Sequence, residues 1–214
     1  MSRDKTASTA RQPTRERVLD AAERLLAQGS ADFSMRELAD DAGVSFATPF
    51  NQFGGKGAIM LALSSRRIAA MHAQLGEAVL PEAACGRVLL AVDIAVQVML
   101  ASPAVNRVVM GAIGSPNEEP GEVSAQSRSL WAEALGPGEE LLSATRPLAL
   151  AVLPDHLAIA FRGVLSFWTA GEIPDASLGP RARAAAAAAL LGFVARDGRI
   201  ELLVALEHGA AAQP

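Results

Sequence analysis

Apolar positions recur at helical spacing along most of the 214 residues, and no run of β-branched residues alternates as a half-buried strand does. Val18, Leu19, Ala22, Leu25 and Leu26 form one stripe on a helix predicted over Thr14 to Gln28, and Gly29 ends it. Ser34 is placed as the N-cap of a second helix, and Glu37 three residues later completes a capping box. Leu38, Ala39 and Ala42 make the apolar stripe of that helix, with Gly43 directly after it. A tight turn between packed helices needs a residue that accepts positive φ, and glycine does so without a Cβ clash. Val44 can plug the turn, and Ala39 suits a close helix crossing. Phe46 to Phe53 forms a short third helix, and Phe33, Met35, Leu38 and Phe53 are expected to close a three-helix core.

Two starts are open for that third helix. If Ser45 is its N-cap, Pro49 removes an early helical hydrogen bond and biases Thr48 away from α geometry. If Thr48 is the N-cap, Pro49 occupies the favoured first helical position and the helix shrinks to about one turn.

Beyond Lys56 the pattern predicts a helix to about Leu80, interrupted by Pro81, and further helices over Glu82–Ala101 and Pro103–Ile113. A Pro- and Glu-containing loop spans 114–121. Helices over Ser124–Leu135, Glu139–Val152 and Asp155–Ala170 come next, then a turn-rich connection over Gly171–Pro180. Arg181–Ala195 and Ile200–His208 are the last helical stretches. No repeat is visible at periods of about 20–50 residues. The fold class is all-α, with a flexible basic arm over 1–13, a helix-turn-helix domain over 14–56 and a larger helical domain over 57–214.

Charge and composition narrow the function. The net charge of −4 argues against a generally basic nucleic-acid binder. The charge is uneven, however: residues 1–17 carry Arg3, Lys5, Arg11, Arg15 and Arg17 against Asp4 and Glu16, while the whole deficit lies beyond residue 56. Local phosphate contact needs a positive face and not a positive protein. The single cysteine, Cys85, excludes an intrachain disulfide and reads as a small core residue. The polar N-terminus lacks the apolar run of a secretory signal. The longest unbroken apolar stretch, Ala184 to Ala195, is too short to cross a bilayer, so a soluble cytoplasmic protein is expected. His72, His156 and His208 stand in no metal-ligand spacing, and Gly54-Gly55-Lys56-Gly57 lacks the spacing and the preceding strand of a phosphate loop. No catalytic constellation, metal site or cofactor is expected.

The stretch Thr14-Arg15-Glu16-Arg17-Val18-Leu19-Asp20-Ala21-Ala22 resembles the first helix of the tetracycline-repressor-like (TetR) family of regulators. Leu38-Ala39 to Ala42-Gly43-Val44-Ser45 resembles the family's turn. Phe50-Asn51-Gln52-Phe53-Gly54-Gly55-Lys56 resembles its tail, an aromatic pair, a small loop and a Lys opening the fourth helix. Two positions depart from the pattern: Phe50 stands where Tyr is common, and Pro49 where an aliphatic residue is common. The resemblance implies a homodimer that binds a palindromic operator and answers to a small molecule in its C-terminal domain.

Asn51 and Gln52 suit base edges, since each can bind adenine bidentately. Thr48 and Phe46 can meet thymine methyl groups. Ser34, Ser45, Thr48 and Lys56 stand near helix N-termini, where phosphate binds, and Lys56 also holds the family's position for it. Ala47 and Phe50 complete the set on the third helix. Met71, Met99, Met110, Trp131, Phe161 and Trp168, with His72 and Asn106 as polar groups, suit an apolar or aromatic ligand. The helix over 155–170 is apolar on two sides and needs two partners. Leu157, Phe161, Val164 and Leu165 on it, with Ala185 and Ala188 in the alanine run, are the expected dimer seam.

The reading is a ligand-responsive transcriptional regulator, a repressor released from a palindromic operator by a small, largely apolar molecule. Its rival is a helical small-molecule-binding or protein-interaction protein whose head has lost operator affinity, a reading that rests on Pro49 and Phe50.

Overall fold

The computed structural model describes residues 13–114, 122–196 and 198–212. The arm expected over 1–13, all but Pro13, and most of the loop expected over 114–121 lie outside them. The described residues form ten helices, with one isolated antiparallel bridge between Leu141 and Val194. The chain divides into two compact units between Ile59 and Met60.

The first unit, the head, holds α1 (Thr14–Ala27), α2 (Met35–Ala42), α3 (Ala47–Phe53) and the first turn of α4 (Lys56–Glu77). Its apolar stripes do what their spacing implies. Val18, Ala22 and Leu26 of α1 and Leu38, Ala39 and Ala42 of α2 are buried, with Phe33 between the two helices. Val44, Met35 and Phe53 are half-buried at the margin of this core.

The second unit, the body, contains the rest of α4, then α5 (Ala84–Leu100), α6 (Pro103–Ala112), α7 (Val123–Leu135), α8 (Arg146–Thr169), α9 (Asp175–Leu190) and α10 (Arg199–Ala211). α9 packs against α5, α8 and α10, and α7 against α5 and α8. The core runs through Met71, Leu75, Val88, Val92, Met99, Trp131, Leu153, Leu157, Trp168 and Leu190. Cys85 is buried near the start of α5, and burial, with Glu201 and Glu140 nearby, raises the pKa of its thiol.

In the body the two largest departures from the expected helix starts both involve proline. The helices expected over Glu139–Val152 and Asp155–Ala170 are one helix, α8, of 24 residues. Pro147 sits in its first turn, where a missing N–H costs little. Pro154 lies inside it and is buried among Leu153, Leu157 and Ala158, so packing on neighbouring helices carries the chain through the missing bond. Residues 139–145 are not helical; Leu142 N donates to Phe193 O at 2.8 Å instead. As one helix, α8 is long and apolar enough by length and composition to cross a bilayer, which the shorter run over 184–195 is not. It nevertheless buries Leu153, Leu157, Phe161, Leu165 and Trp168 within the body.

α9 likewise starts at Asp175, not 181, runs through Pro180 and ends at Leu190, not 195. Leu178, fully buried, anchors its first turns. Asp175 holds this helix start to α8, accepting from Trp168 Nε1 at 2.8 Å and from Arg107 Nη2 at 2.7 Å.

Arg87 ties α5 to α7. It is 7% exposed and donates to Ala134 O, Leu135 O, Pro81 O and Glu82 O, and pairs with Glu139. The alanine run of α9 also packs within the chain. At its crossing with α10, a Cβ on Gly209 would sit 2.2 Å from Ala184 Cβ and 3.0 Å from Pro180 O. Glycine is needed there by close approach, since Pro180 O is backbone and cannot swing aside.

Gly209→Ala is therefore expected to destabilise the protein by about 1–3 kcal/mol, the range for overpacking a tight contact. Gly192→Ala, where an added Cβ would meet nothing within 4 Å, serves as the control. Urea unfolding midpoints check the pair, with a lower midpoint for the Gly209 variant.

Candidate nucleic-acid interface and ligand cavity

The head is organised by the ends of α2. At its start, Ser34 Oγ accepts from Glu37 N at 3.2 Å and Glu37 Oε2 accepts from Ser34 N at 2.7 Å. The Ser34 backbone N–H, followed by the Ser34 side chain, holds the Glu37 carboxyl below the ordinary carboxylate range. The stabilisation is present above that range and is lost as pH falls through Glu37's lowered value. At the other end Gly43 is left-handed, with φ 61° and ψ 43°, and Val44 N donates to Ala39 O at 3.0 Å.

Arginines of α1 close the turn from outside. Arg17 Nη2 donates to Ala42 O and Gly43 O, both at 2.7 Å. Arg24 grips Asp41 Oδ2 through Nε at 2.9 Å and Nη2 at 2.6 Å. Arg15 lies 4.3 Å over the Phe53 ring and donates to Gln52 O at 3.3 Å. Arg15 and Arg17, counted above in a basic stretch suited to phosphate, thus have partners inside the head.

α3 starts at Ala47, matching neither of the two starts left open. Phe46 is its N-cap, already in helical geometry, and no side chain caps it. Thr48 N donates to Ser45 O at 2.9 Å, and Ser45 Oγ lies 2.7 Å from Thr48 Oγ1. Pro49 is the third helical residue. An N–H there belongs to the first turn, whose donors have no intrahelical acceptor in an α pattern. The proline therefore costs no regular bond and buries its ring in the head. The face away from that core presents Ser45, Ala47, Asn51 and Gln52, all exposed, with Phe46 53% and Phe50 42% exposed. The two rings meet edge-on at 5.6 Å, and Arg36 lies 5.4 Å from the Phe46 ring. Thr48 is half-buried, and the exposed Ser34 hydroxyl is engaged in the capping box.

Lys56 stands apart from the others. Its ammonium donates to Ala31 O at 2.6 Å and Phe33 O at 3.3 Å, and lies 4.4 Å over the Phe33 ring. It fastens the loop before α2 to the start of α4, a structural task that sequence position did not reveal.

The body contains a cavity of about 630 Å³. Met71, Met99, Met110, Trp131 and Phe161, expected at a ligand site, line it together. Three expected residues do not. His72 bonds Glu133 at 2.5 Å on the exterior. Trp168 is fully buried with its indole N–H on Asp175 and Arg107 4.6 Å over its ring. Asn106, 1% exposed, donates to Val98 O at 3.1 Å and Met99 O at 2.8 Å, and accepts from Arg67 Nε at 2.8 Å. Arg67 itself lines the cavity, as do Arg162 and the buried Ser64, none of which was expected. For Arg162 the sequence signal was a lone cation within an apolar stretch; Arg67, beside Arg66, and Ser64 carried none. Among the described residues no group of three His, Cys, Asp or Glu converges.

The expected dimer seam is corrected in part. Leu157, Phe161 and Leu165 are 1%, 7% and 3% exposed within a single chain, so they belong to its core and, for Phe161 and Leu165, to the cavity wall. Their face was apolar because α7 and α9 cover it. Val164 and Ala185 are half-buried and Ala188 is exposed. The apolar residues that α8 leaves outside are Leu148, Ile159 and Phe167, and α10 adds Ile200, Leu203 and Val204.

This geometry is a helix-turn-helix head followed by a helical body. Residues 18–63 match the family described as bacterial regulatory proteins, tetR family, in line with the resemblance read from the head's motifs. The fold is that of a TetR transcriptional regulator from Rhodococcus sp. RHA1, at a TM-score of 0.67 and 22% identity, over 83% of this chain and 96% of that one. A protein from Streptomyces coelicolor A3(2) described as a transcriptional regulator also aligns, at a TM-score of 0.48 and 22% identity, over 95% and 100% of the two chains. No curated protein sequence matches significantly.

Because Pro49 lacks only a first-turn N–H, Pro49→Leu is expected to be neutral or to destabilise by up to about 1 kcal/mol, through the freer unfolded chain. Thermal melting checks it; a raised midpoint would show that Pro49 strains α3.

Proposed function

We propose that the chain is a homodimeric transcriptional repressor that binds a palindromic operator through α3 and leaves it when a small molecule fills the body cavity. The observation that carries the reading is the face of α3. Asn51 and Gln52 are exposed on a helix whose opposite side is held by Pro49, and whose C-terminal end is held by Arg15 on Phe53 and on Gln52 O. Fixed donors and acceptors on an exposed helix are what base-edge recognition requires. Phe46 and Phe50 add apolar surface suited to thymine methyl groups, and Ser45 and Ala47 leave room for backbone approach. Lys56 supports this face from within the head, so the cations for phosphate are expected from Arg36 and from Arg3, Lys5 and Arg11 of the arm.

Ligand response is supported by α4. This one helix carries Lys56 in the head and Leu61, Ser64, Arg67, Ile68 and Met71 on the cavity wall. A ligand that favours one setting of α4 shifts operator affinity only by its differential affinity for that setting. Dimerisation is supported by the apolar residues that α8 leaves outside, with Phe167 about half exposed and Ile159 more so.

Asn51→Ala and Gln52→Ala are each expected to relax preference at particular base pairs, by about 1–3 kcal/mol for a lost bidentate contact. Binding of an operator from the chain's own promoter, compared with single-base variants of it, checks this; unchanged preference in the double variant would reject the base-reading role. Phe167→Glu is expected to convert dimer to monomer in sedimentation at micromolar concentration without lowering the unfolding midpoint. A dimer that persists would move the seam to α10.

A further inference from the structure

The cavity wall has an unusual balance of polar groups. Among the described residues its lining includes two guanidinium groups, Arg67 and Arg162, and no aspartate, glutamate or histidine. Arg162 is half-buried, and desolvation lowers its pKa from the ordinary arginine value. Its bonds go to Met110 O at 3.3 Å and Met110 Sδ at 4.0 Å. A guanidinium has five N–H donors, so one carbonyl and one thioether leave most of them unanswered, and no carboxylate among the described residues meets its charge. Trp131 points the same way. It is 1% exposed on the cavity wall, and its indole N–H has no acceptor among the described residues. Buried donors without acceptors are costly, and a half-buried cation without a counter-charge more so. The rest of the wall is thioether, aliphatic and aromatic, through residues such as Met71, Met99, Phe161 and Leu165, with the hydroxyls of Ser64, Ser124, Ser127 and Ser166 among them.

We propose that the cavity binds a small amphipathic carboxylate, its anionic group held by Arg162 and Arg67 and its apolar part lying among the methionines and Phe161. The inference rests on the ligand-responsive reading above and names the class of its effector. A planar carboxylate matches the guanidinium fork and supplies acceptors to the unanswered donors of Arg162 and Trp131. A neutral apolar molecule would leave Arg162 as it stands, and an amine would face its like charge. The two arginines also connect the anion to helix ends. Arg162 holds Met110 O near the close of α6, and Arg67 holds Asn106, which in turn holds Val98 O and Met99 O near the close of α5.

Titration calorimetry on the full chain tests this with matched probes: decanoate against 1-decanol, and naphthalene-2-carboxylate against 2-naphthalenemethanol, all below aggregation. At least one acid is expected to bind about ten-fold or more tighter than its alcohol, the value of a charge-assisted hydrogen bond. Arg162→Gln is expected to remove that advantage while leaving the alcohol's affinity within about three-fold, and Arg162→Lys to restore part of it. Arg67→Gln gives the same comparison if the Arg162 variant does not fold. Alcohols that bind as tightly as the acids, or an Arg162→Gln variant that weakens acid and alcohol alike, would overturn the carboxylate while leaving a ligand-responsive regulator intact. Failure of all four probes to bind would overturn the amphipathic carboxylate, whereas the regulator reading stands or falls by the operator-binding comparison.

Discussion

A helix ends with carbonyls that no residue of the same helix can satisfy, and at four of the ten described helices donors come from arginines far away in sequence. Arg17 of α1 supplies the end of α2, Arg87 of α5 the end of α7, Arg107 of α6 the end of α8, and Arg162 of α8 the end of α6. Each cation also meets the negative pole of the helix it caps, so charge and hydrogen bonding act together. The positions of α2 and α3 depend on this constraint most directly. Gly43 lets the chain turn, but a left-handed glycine alone does not orient the next helix; Arg17 on Ala42 and Gly43 and Arg15 on Gln52 do. The face carrying Asn51 and Gln52 is thereby held by residues that never reach it.

The head was legible in the sequence because its signals are local. A capping box spans four residues, a turn glycine comes directly after its helix, and an apolar stripe repeats within two turns. The body was legible as helical but not in its boundaries or faces. Pro147 and Pro154 argue locally for a break, whereas burial of Leu153, Leu157 and Phe161 on both sides carries α8 through. The same burial misled the reading of the seam, since an apolar stripe states that a face is covered and not by which molecule. Lys56 and the arginines were opaque for a further reason. Their partners are backbone carbonyls, which every residue has, so nothing in the partner's identity marks the contact. Arg15 and Arg17 look like phosphate ligands by charge and position, and only their geometry shows them closing the head.

The cavity repeats the theme with the opposite outcome. Arg162 caps α6 as the other arginines cap their helices, yet it faces a space where its remaining donors find nothing among the described residues. One group can therefore be structural along one edge and receptive along another. Asn106 shows how far such a link reaches: fully buried and fully bonded, it joins Arg67 to the last carbonyls of α5. Any molecule that engages the guanidiniums acts on helix ends directly, without a separate lever.

Cys85 makes the body open to a kind of kinetic observation that the head does not share. It is the chain's single cysteine, it is buried, and its thiol is held in the protonated, unreactive form. A water-soluble disulfide reagent can then react only during excursions that expose the start of α5. The rate of colour release would clock local opening of that region, separately from the averaged signal of a melt, with no background from anywhere else in the protein.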